Sequence, residues 1–402
     1  MLTNLDLLDL TEFRRDLHRY PELSGEEVET ANKVVAALKP MAPTRILTGL
    51  GGHGVAAVFD SGKDGLTVLF RAELDALPIQ ECNDVTWVSQ RLGKSHVCGH
   101  DGHMTMLLAL GRMISRRPVA YGRVVLMFQP AEEDGSGAKA VVIDPAYQDI
   151  KADWAFAIHI KPGQPFGYVS TCAGLINCAS LGLRIKLLGK TAHAADPENG
   201  TSPTQAIAKL IPALEAFGRG GTLDDDFRLV TITDVKIGDP TFGVAPGEGE
   251  IYATLRTAND AGKEKLEAIA RSLSTSLVEQ YELGVAFAVC DDFAASTNDP
   301  DAFSVATAAM DAIGVAYGDE GVPMRASEDF GVFGLNAKAA MLCLGPGEDY
   351  AALHNPDYDF LDDLIPIGSA IFERISRDLL GMARCASLNV GLDTGPRSDL
   401  LR

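Results

Sequence analysis

Apolar and polar positions follow two different rhythms along this chain. Residues 11–20 show helical spacing until Pro21 interrupts it, and Ser24-Gly25-Glu26-Glu27 has the form of a capping box that opens a helix through Leu38. Apolar runs at residues 54–59, 66–70, 124–128 and 154–158 predict strands, with a buried helix after residue 103 between the second and third. A run such as Val124-Val125-Leu126-Met127-Phe128 has no polar side, so it belongs in a sheet covered on both faces. This is an α/β pattern. From about residue 180 the order becomes strand 181–188, helix 203–217, strands 228–236 and 250–256, helix 262–281 and strand 285–290. That βαββαβ succession is ferredoxin-like. After Asp299-Pro300 the first rhythm returns, with a helix to Ile313, a strand at 339–344 and a last helix from Pro366 to about Met382. The expected organisation is one domain in two parts, 1–178 and 294–385, with a second domain, 179–293, inserted between them. A tail, 386–402, is expected to be mobile.

Polar groups gather where the first set of strands ends, which is where open α/β sheets bind ligands. Arg71-Ala72-Glu73-Leu74-Asp75, Gln129-Pro130-Ala131-Glu132-Glu133 and His159 each follow a predicted strand, and the strand at 339–344 leads to His354. Among them lies Cys98-Gly99-His100-Asp101-Gly102-His103, a thiol, two imidazoles and a carboxylate just ahead of a helix. A helix N-terminus favours a thiolate, so Cys98 is expected to ionise readily. The donor number suits two metal ions about 3.5–4 Å apart. Adjacent glutamates diverge, so one can bind metal while the other serves as a base. His18, His53 and His96 are expected to be structural or solvated. Gly49-Leu50-Gly51-Gly52-His53-Gly54 matches a dinucleotide fingerprint in letters only, since a strand follows it where a helix is required. Gly189-Lys190-Thr191 lacks the upstream glycine of a P-loop, and no G-x-S-x-G supports a serine hydrolase.

Composition narrows the setting. At 402 residues two domains are expected, and no apolar run reaches the roughly 20 residues of a membrane span. The N-terminus has no signal-peptide pattern, and seven scattered cysteines form no disulfide framework, so a reducing cytoplasm is expected. A formal charge of −20 argues against nucleic acid and anionic membranes as partners.

Six motifs in order carry a family resemblance: residues 14–24, 71–78, 98–103, 128–133, Ser327-Glu328-Asp329-Phe330 and Leu353-His354-Asn355-Pro356. Together they resemble the amidohydrolase branch of the aminoacylase/carboxypeptidase metallopeptidase family, which includes hippurate hydrolases and indole-3-acetyl-amino-acid hydrolases. The resemblance implies a dinuclear-metal exopeptidase-like α/β catalytic domain with an inserted ferredoxin-like lid and dimerisation domain, hence a homodimer. It implies two divalent ions (zinc, manganese, nickel or cobalt) held by Cys98, His100, Glu133, His159 and His354, with Cys98 as the bridge. By the same resemblance Glu132 is the general base, Asp75 an orienting carboxylate, His193 a lid histidine that serves the partner's site, and His103 structural. Arg256 is a candidate for the substrate carboxylate, and Arg325 a second substrate contact. Three positions depart from the family pattern: Glu73 for Asp, Gly243 for the lid asparagine, and Arg325-Ala326 for a small lead into the 327–330 motif. The implied reaction is hydrolysis of an N-acyl or N-aroyl amino acid, a small-molecule substrate. Dipeptides and aromatic amines are the alternative.

Overall fold

The computed structural model describes residues 2–383; the tail expected to be mobile lies outside them. Helix α1 (Asn4–Arg19) begins earlier than its apolar spacing predicts, because Thr3 and Asp6 cap each other across its first turn. Helix α2 (Val28–Leu38) then starts without any side-chain cap, so the expected capping box at Ser24 is not formed. Strands β1 (Arg45–Leu50) and β2 (Gly54–Asp60) make a hairpin, of which β1 escaped the sequence reading. There follow β3 (Thr67–Glu73), α3 (His100–Arg116), β4 (Arg123–Gln129), α4 (Gly137–Ile143) and β5 (Trp154–Ile160). After short β6 (Val169–Ser170) and β7 (Gly174–Asn177) comes the second unit: β8 (Ala179–Leu188), β9 (Ala192–His193), α5 (Thr204–Glu215), β10 (Arg228–Ile237), β11 (Val244–Ala245), β12 (Glu248–Thr257), α6 (Asp260–Glu279) and β13 (Gly284–Phe293). The chain returns through β14 (Ser296–Asn298), α7 (Pro300–Ile313), β15 (Tyr317–Gly318), α8 (Gly331–Gly334), β16 (Lys338–Leu344) and α9 (Ile365–Leu380).

The first unit is an eight-stranded sheet in the order β1-β2-β4-β3-β5-β16-β6-β15. Its central strands β4, β3, β5 and β16 are parallel. Alternation within each strand feeds two cores: Val124, Leu126 and Phe128 pack with α1, α2, α3, α7 and α9, whereas Val125 and Met127 pack with α4 and α8. Strand order reverses at β3, with β4 on one side and β5 on the other, so the crevice at its carboxyl end is the natural ligand position.

The second unit is a four-stranded antiparallel sheet, β10-β12-β8-β13, with α5 and α6 on one face. Leu181, Leu183, Ile185 and Leu187 of β8 point into that core, while Arg184 and Lys186 on the opposite face pair with Glu250 and Glu248. This is the order expected of a βαββαβ unit. Strands β7 and β14, the two passages between the units, pair with each other. Among the described residues no helix is long and apolar enough to cross a membrane.

Candidate metal centre and catalytic cavity

The crevice at the end of β3 collects the polar groups. Gly99 takes φ +86° ahead of α3, which turns Cys98 and His100 toward the same space. Donor atoms of Cys98, His100 and His159 all lie within 4.8 Å of one another, and so do those of Cys98, Glu133 and His354. Cys98 therefore belongs to two donor sets. A third set joins His100, Glu132 and Glu133. His354 reaches the site from a residue at φ +65°, anchored by its N–H to the Val97 carbonyl.

The imidazoles of His100 and His159 are each fixed by the far nitrogen. His100 Nδ1 donates to the Asp75 carbonyl at 2.9 Å, and His159 Nδ1 to the Ile160 carbonyl at 2.8 Å. Their Nε2 atoms are thereby turned inward, His159 Nε2 lying 3.5 Å from Cys98 Sγ. Burial, with His103 adding to it, holds His159 down at about 3, so its ring is neutral. His100 behaves oppositely: burial disfavours its charge, but Glu73, Asp75 and Glu133 outweigh that and raise it to about 10. Burial pushes Glu133 up to about 7 and Glu132 well above the carboxylate range, the latter with help from Glu328 and Glu133. Asp75 Oδ1, His100 Nε2 and Glu133 Oε1 are buried without hydrogen-bond partners. Crowded carboxylates, inward imidazoles and unpartnered donor atoms are what a pair of divalent cations would satisfy, so the residues present fit such ions.

One expectation fails here. Cys98 does not ionise readily by virtue of its helix: burial and the carboxylates of Glu133, Glu132 and Glu73 push its thiol well up. A cation, not the helix dipole, would have to produce the thiolate.

The other named residues are placed as follows. Asp75 is buried; its Oδ2 accepts from the Glu133 N–H at 3.0 Å and from Ser24 Oγ at 2.7 Å. His103 has both nitrogens engaged, Nδ1 with Glu73 Oε2 at 2.8 Å and Nε2 with the Ile160 N–H at 3.1 Å. His18 is buried between Asp101 and Glu81, and His96 is buried beside it. His193 sits on β9, an exposed ribbon paired with β11, and does not line the cavity of its own chain. That cavity, about 540 Å³, is lined by Cys98, Glu132 and His354, by Met324 and Met341, and by Arg256 of β12. Arg256 donates to Ser327 Oγ at 2.8 Å and to the Arg325 carbonyl at 3.0 Å, and pairs with no carboxylate among the described residues. Arg325 is not where a substrate contact was expected. Its guanidinium lies over Phe227 and donates to the Gly221 carbonyl, outside the cavity lining.

Sequence reasoning missed the arginine behind the site. Arg71 is fully buried, paired with Glu73, with Glu328 at 2.8 Å and with Asp329 at 2.7 Å, and it donates to Gln129 at 2.8 Å. Both segments were visible as motifs, but nothing in one dimension shows that they meet.

IAA-amino acid hydrolase ILR1-like 2 of Arabidopsis thaliana is 30% identical over 371 residues, 90% of this chain and 83% of its own length. Hippurate hydrolase of Campylobacter jejuni is 27% identical over 92% of this chain and 97% of its own. A crystal structure described as a dinuclear metal-binding peptidase of the M20 family, from Bacillus subtilis, superposes with a TM-score of 0.78 at 25% identity. It covers 94% of this chain and 99% of that one. Residues 69–378 match the family described as peptidase family M20/M25/M40, and the chain belongs to that family.

Proposed function

We propose that this chain is a metal-dependent amidohydrolase that splits an N-acyl or N-aroyl amino acid into a carboxylic acid and an amino acid. The observation that carries the reading is the placement of Glu132 beside Cys98, His100, Glu133, His159 and His354, at a cavity also lined by an arginine, Arg256, that has no carboxylate partner among the described residues. Two divalent ions held by those five residues, zinc or manganese being the readiest choices, would supply Lewis-acid polarisation of the amide carbonyl and of the attacking water. Glu132 takes a proton from that water as its oxygen bonds to the carbonyl carbon. It then delivers the proton to the nitrogen as the C–N bond breaks. Asp75 holds His100 and the Glu133 backbone in register. Arg256 binds the carboxylate of the amino acid portion, and the apolar stretch at Met324 and Met341 receives the acyl group.

We read residues 179–293 as a lid through which two chains pair, each presenting His193 to the partner's cavity as an oxyanion donor. The exposed position of His193 away from its own cavity supports that reading. The unpaired state of the six described cysteines supports a cytoplasmic setting. A panel of N-acetyl, N-benzoyl and indole-acetyl amino acids, with dipeptides beside them and zinc, manganese, nickel or cobalt added, tests the proposal. Release of free amino acid from the acylated compounds is expected. Turnover confined to dipeptides would overturn it.

A further inference from the structure

The segment Glu22-Leu23-Ser24-Gly25-Glu26-Glu27 is among the most recognisable stretches of the sequence, yet the reaction above gives it no task. In the fold it docks on the catalytic crevice instead of capping α2. The Ala76 N–H donates to the Glu22 carbonyl at 2.8 Å, and Ser24 Oγ donates to Asp75 at 2.7 Å. Glu27 is fully buried and makes no capping bond to α2. Its Oε1 accepts from the Ala131 N–H at 2.8 Å and from the Gly25 N–H at 2.9 Å, while Oε2 has no partner. No basic side chain offsets this buried carboxylate among the described residues. Such a group is costly to keep, and an apolar side chain would serve packing better.

The residue it holds explains the cost. Ala131 adopts φ +50°, a left-handed conformation that an alanine avoids unless its surroundings impose it. The next two residues are Glu132 and Glu133. The Ala131 carbonyl is tied to the Gly137 N–H at 2.9 Å, and Gly137 has no room for a β-carbon against Pro130. The Glu133 N–H is tied to Asp75. We propose that Glu27 is a positioning residue, which by holding the Ala131 N–H keeps that residue left-handed and so aims the glutamate pair into the crevice. The inference rests on the reading of Glu133 as a metal donor and Glu132 as the base.

The test separates reach from charge. Glu27→Gln keeps the acceptor and loses the charge; Glu27→Asp keeps the charge and falls one methylene short of Ala131. Zinc affinity is measured on the full chain by competition with a chromophoric chelator, so no substrate is involved. Glu27→Asp is expected to bind zinc roughly 10–100-fold more weakly, the usual loss for a group that orients a metal donor. Glu27→Gln should bind as the wild type does. Ala131→Gly added to Glu27→Asp should recover most of the loss, because glycine takes positive φ without a side-chain penalty. Where Glu27→Asp does not fold, Glu27→Met fills the same space without an acceptor and takes its place. Zinc affinity unchanged in Glu27→Asp or Glu27→Met, equal loss in Glu27→Gln, or no recovery with Ala131→Gly would each overturn the proposal. A wild type that binds zinc but cleaves no N-acyl amino acid overturns the substrate reading instead, and this test stands apart from it.

Discussion

Cys98 is the residue on which both donor sets converge, and its chemistry depends on what occupies the crevice. Alone among carboxylates its thiol resists ionisation, whereas a zinc–thiolate bond of about 2.3 Å would hold it as the anion. Cys98→Ser is therefore expected to lower metal affinity and turnover together. Iodoacetamide should label Cys98 slowly in metal-loaded protein; fast labelling that ignores added metal would remove it from the centre. His159 and His100 illustrate how far identity alone falls short. Both are histidines at strand or helix ends with a carbonyl on Nδ1, but burial and the neighbouring His103 keep one neutral, while Glu73, Asp75 and Glu133 give the other a strong hold on a proton.

At the scale of elements, α3 is the part whose placement decides the site, because its first turn carries His100 and His103. Gly102 lies against the Phe360 ring, and a β-carbon there would run into it. Gly102→Ala should cost on the order of 1–3 kcal/mol of stability through overpacking, and should weaken metal binding as His100 shifts. Thermal melts paired with metal titration check this; a neutral variant would show that the turn has slack. Helix α1 braces the same turn from behind through His18, 2.8 Å from Asp101. Burial opposes the His18 charge, but Asp101 and Glu81 raise it to about 10 from an ordinary 6.5. The stabilisation is then complete below about pH 6.5 and is lost as pH climbs toward 10, since the unfolded chain releases its proton first. Urea midpoints should fall across that window, with a slope of at most about 1.4 kcal/mol per pH unit from this group, and His18→Gln should flatten it.

The same helix shows where sequence reading stops. The buried stripe of α1 is Asp6, Leu10, Arg14, Leu17 and His18, largely polar, while Leu5 and Leu8 face outward. Apolar spacing therefore found only its second half. Strand β1, half exposed at the sheet edge, offered no clean alternation. By contrast, strands buried on both faces announced themselves by their unbroken apolar runs, and β8 and β12 by a buried residue at every second position. The clustering of the candidate donors was legible for a related reason: metal chemistry permits few side chains. The Arg71 network and the Glu27–Ala131 contact were not, since each joins segments distant in sequence through groups that are ordinary on their own.

Considered whole, the molecule brings two units to one cavity, lined by Cys98, Glu133, His159 and His354 from the first and by Arg256 from the second. Gly243, next to the exposed ribbon that carries His193, has open space around it, so a side chain there would meet nothing in its own chain. If His193 acts on the partner's cavity, inactive His193→Ala and inactive Glu132→Gln chains should regain activity when mixed. No recovery after demonstrated subunit exchange would confine each chain to its own histidine.

The central claim is that five donors hold two divalent ions and that Glu132 is the base beside them. It is tested most directly by titrating chelator-treated protein with zinc or manganese while following both bound metal and release of amino acid from an N-acyl substrate, for wild type and Glu132→Gln in parallel. Wild-type turnover is expected to rise to a plateau at two ions per chain, while Glu132→Gln takes up the same two ions with turnover lower by roughly 10²–10⁴-fold. Turnover that persists without metal, or a Glu132→Gln variant that works as fast as the wild type, would contradict the account.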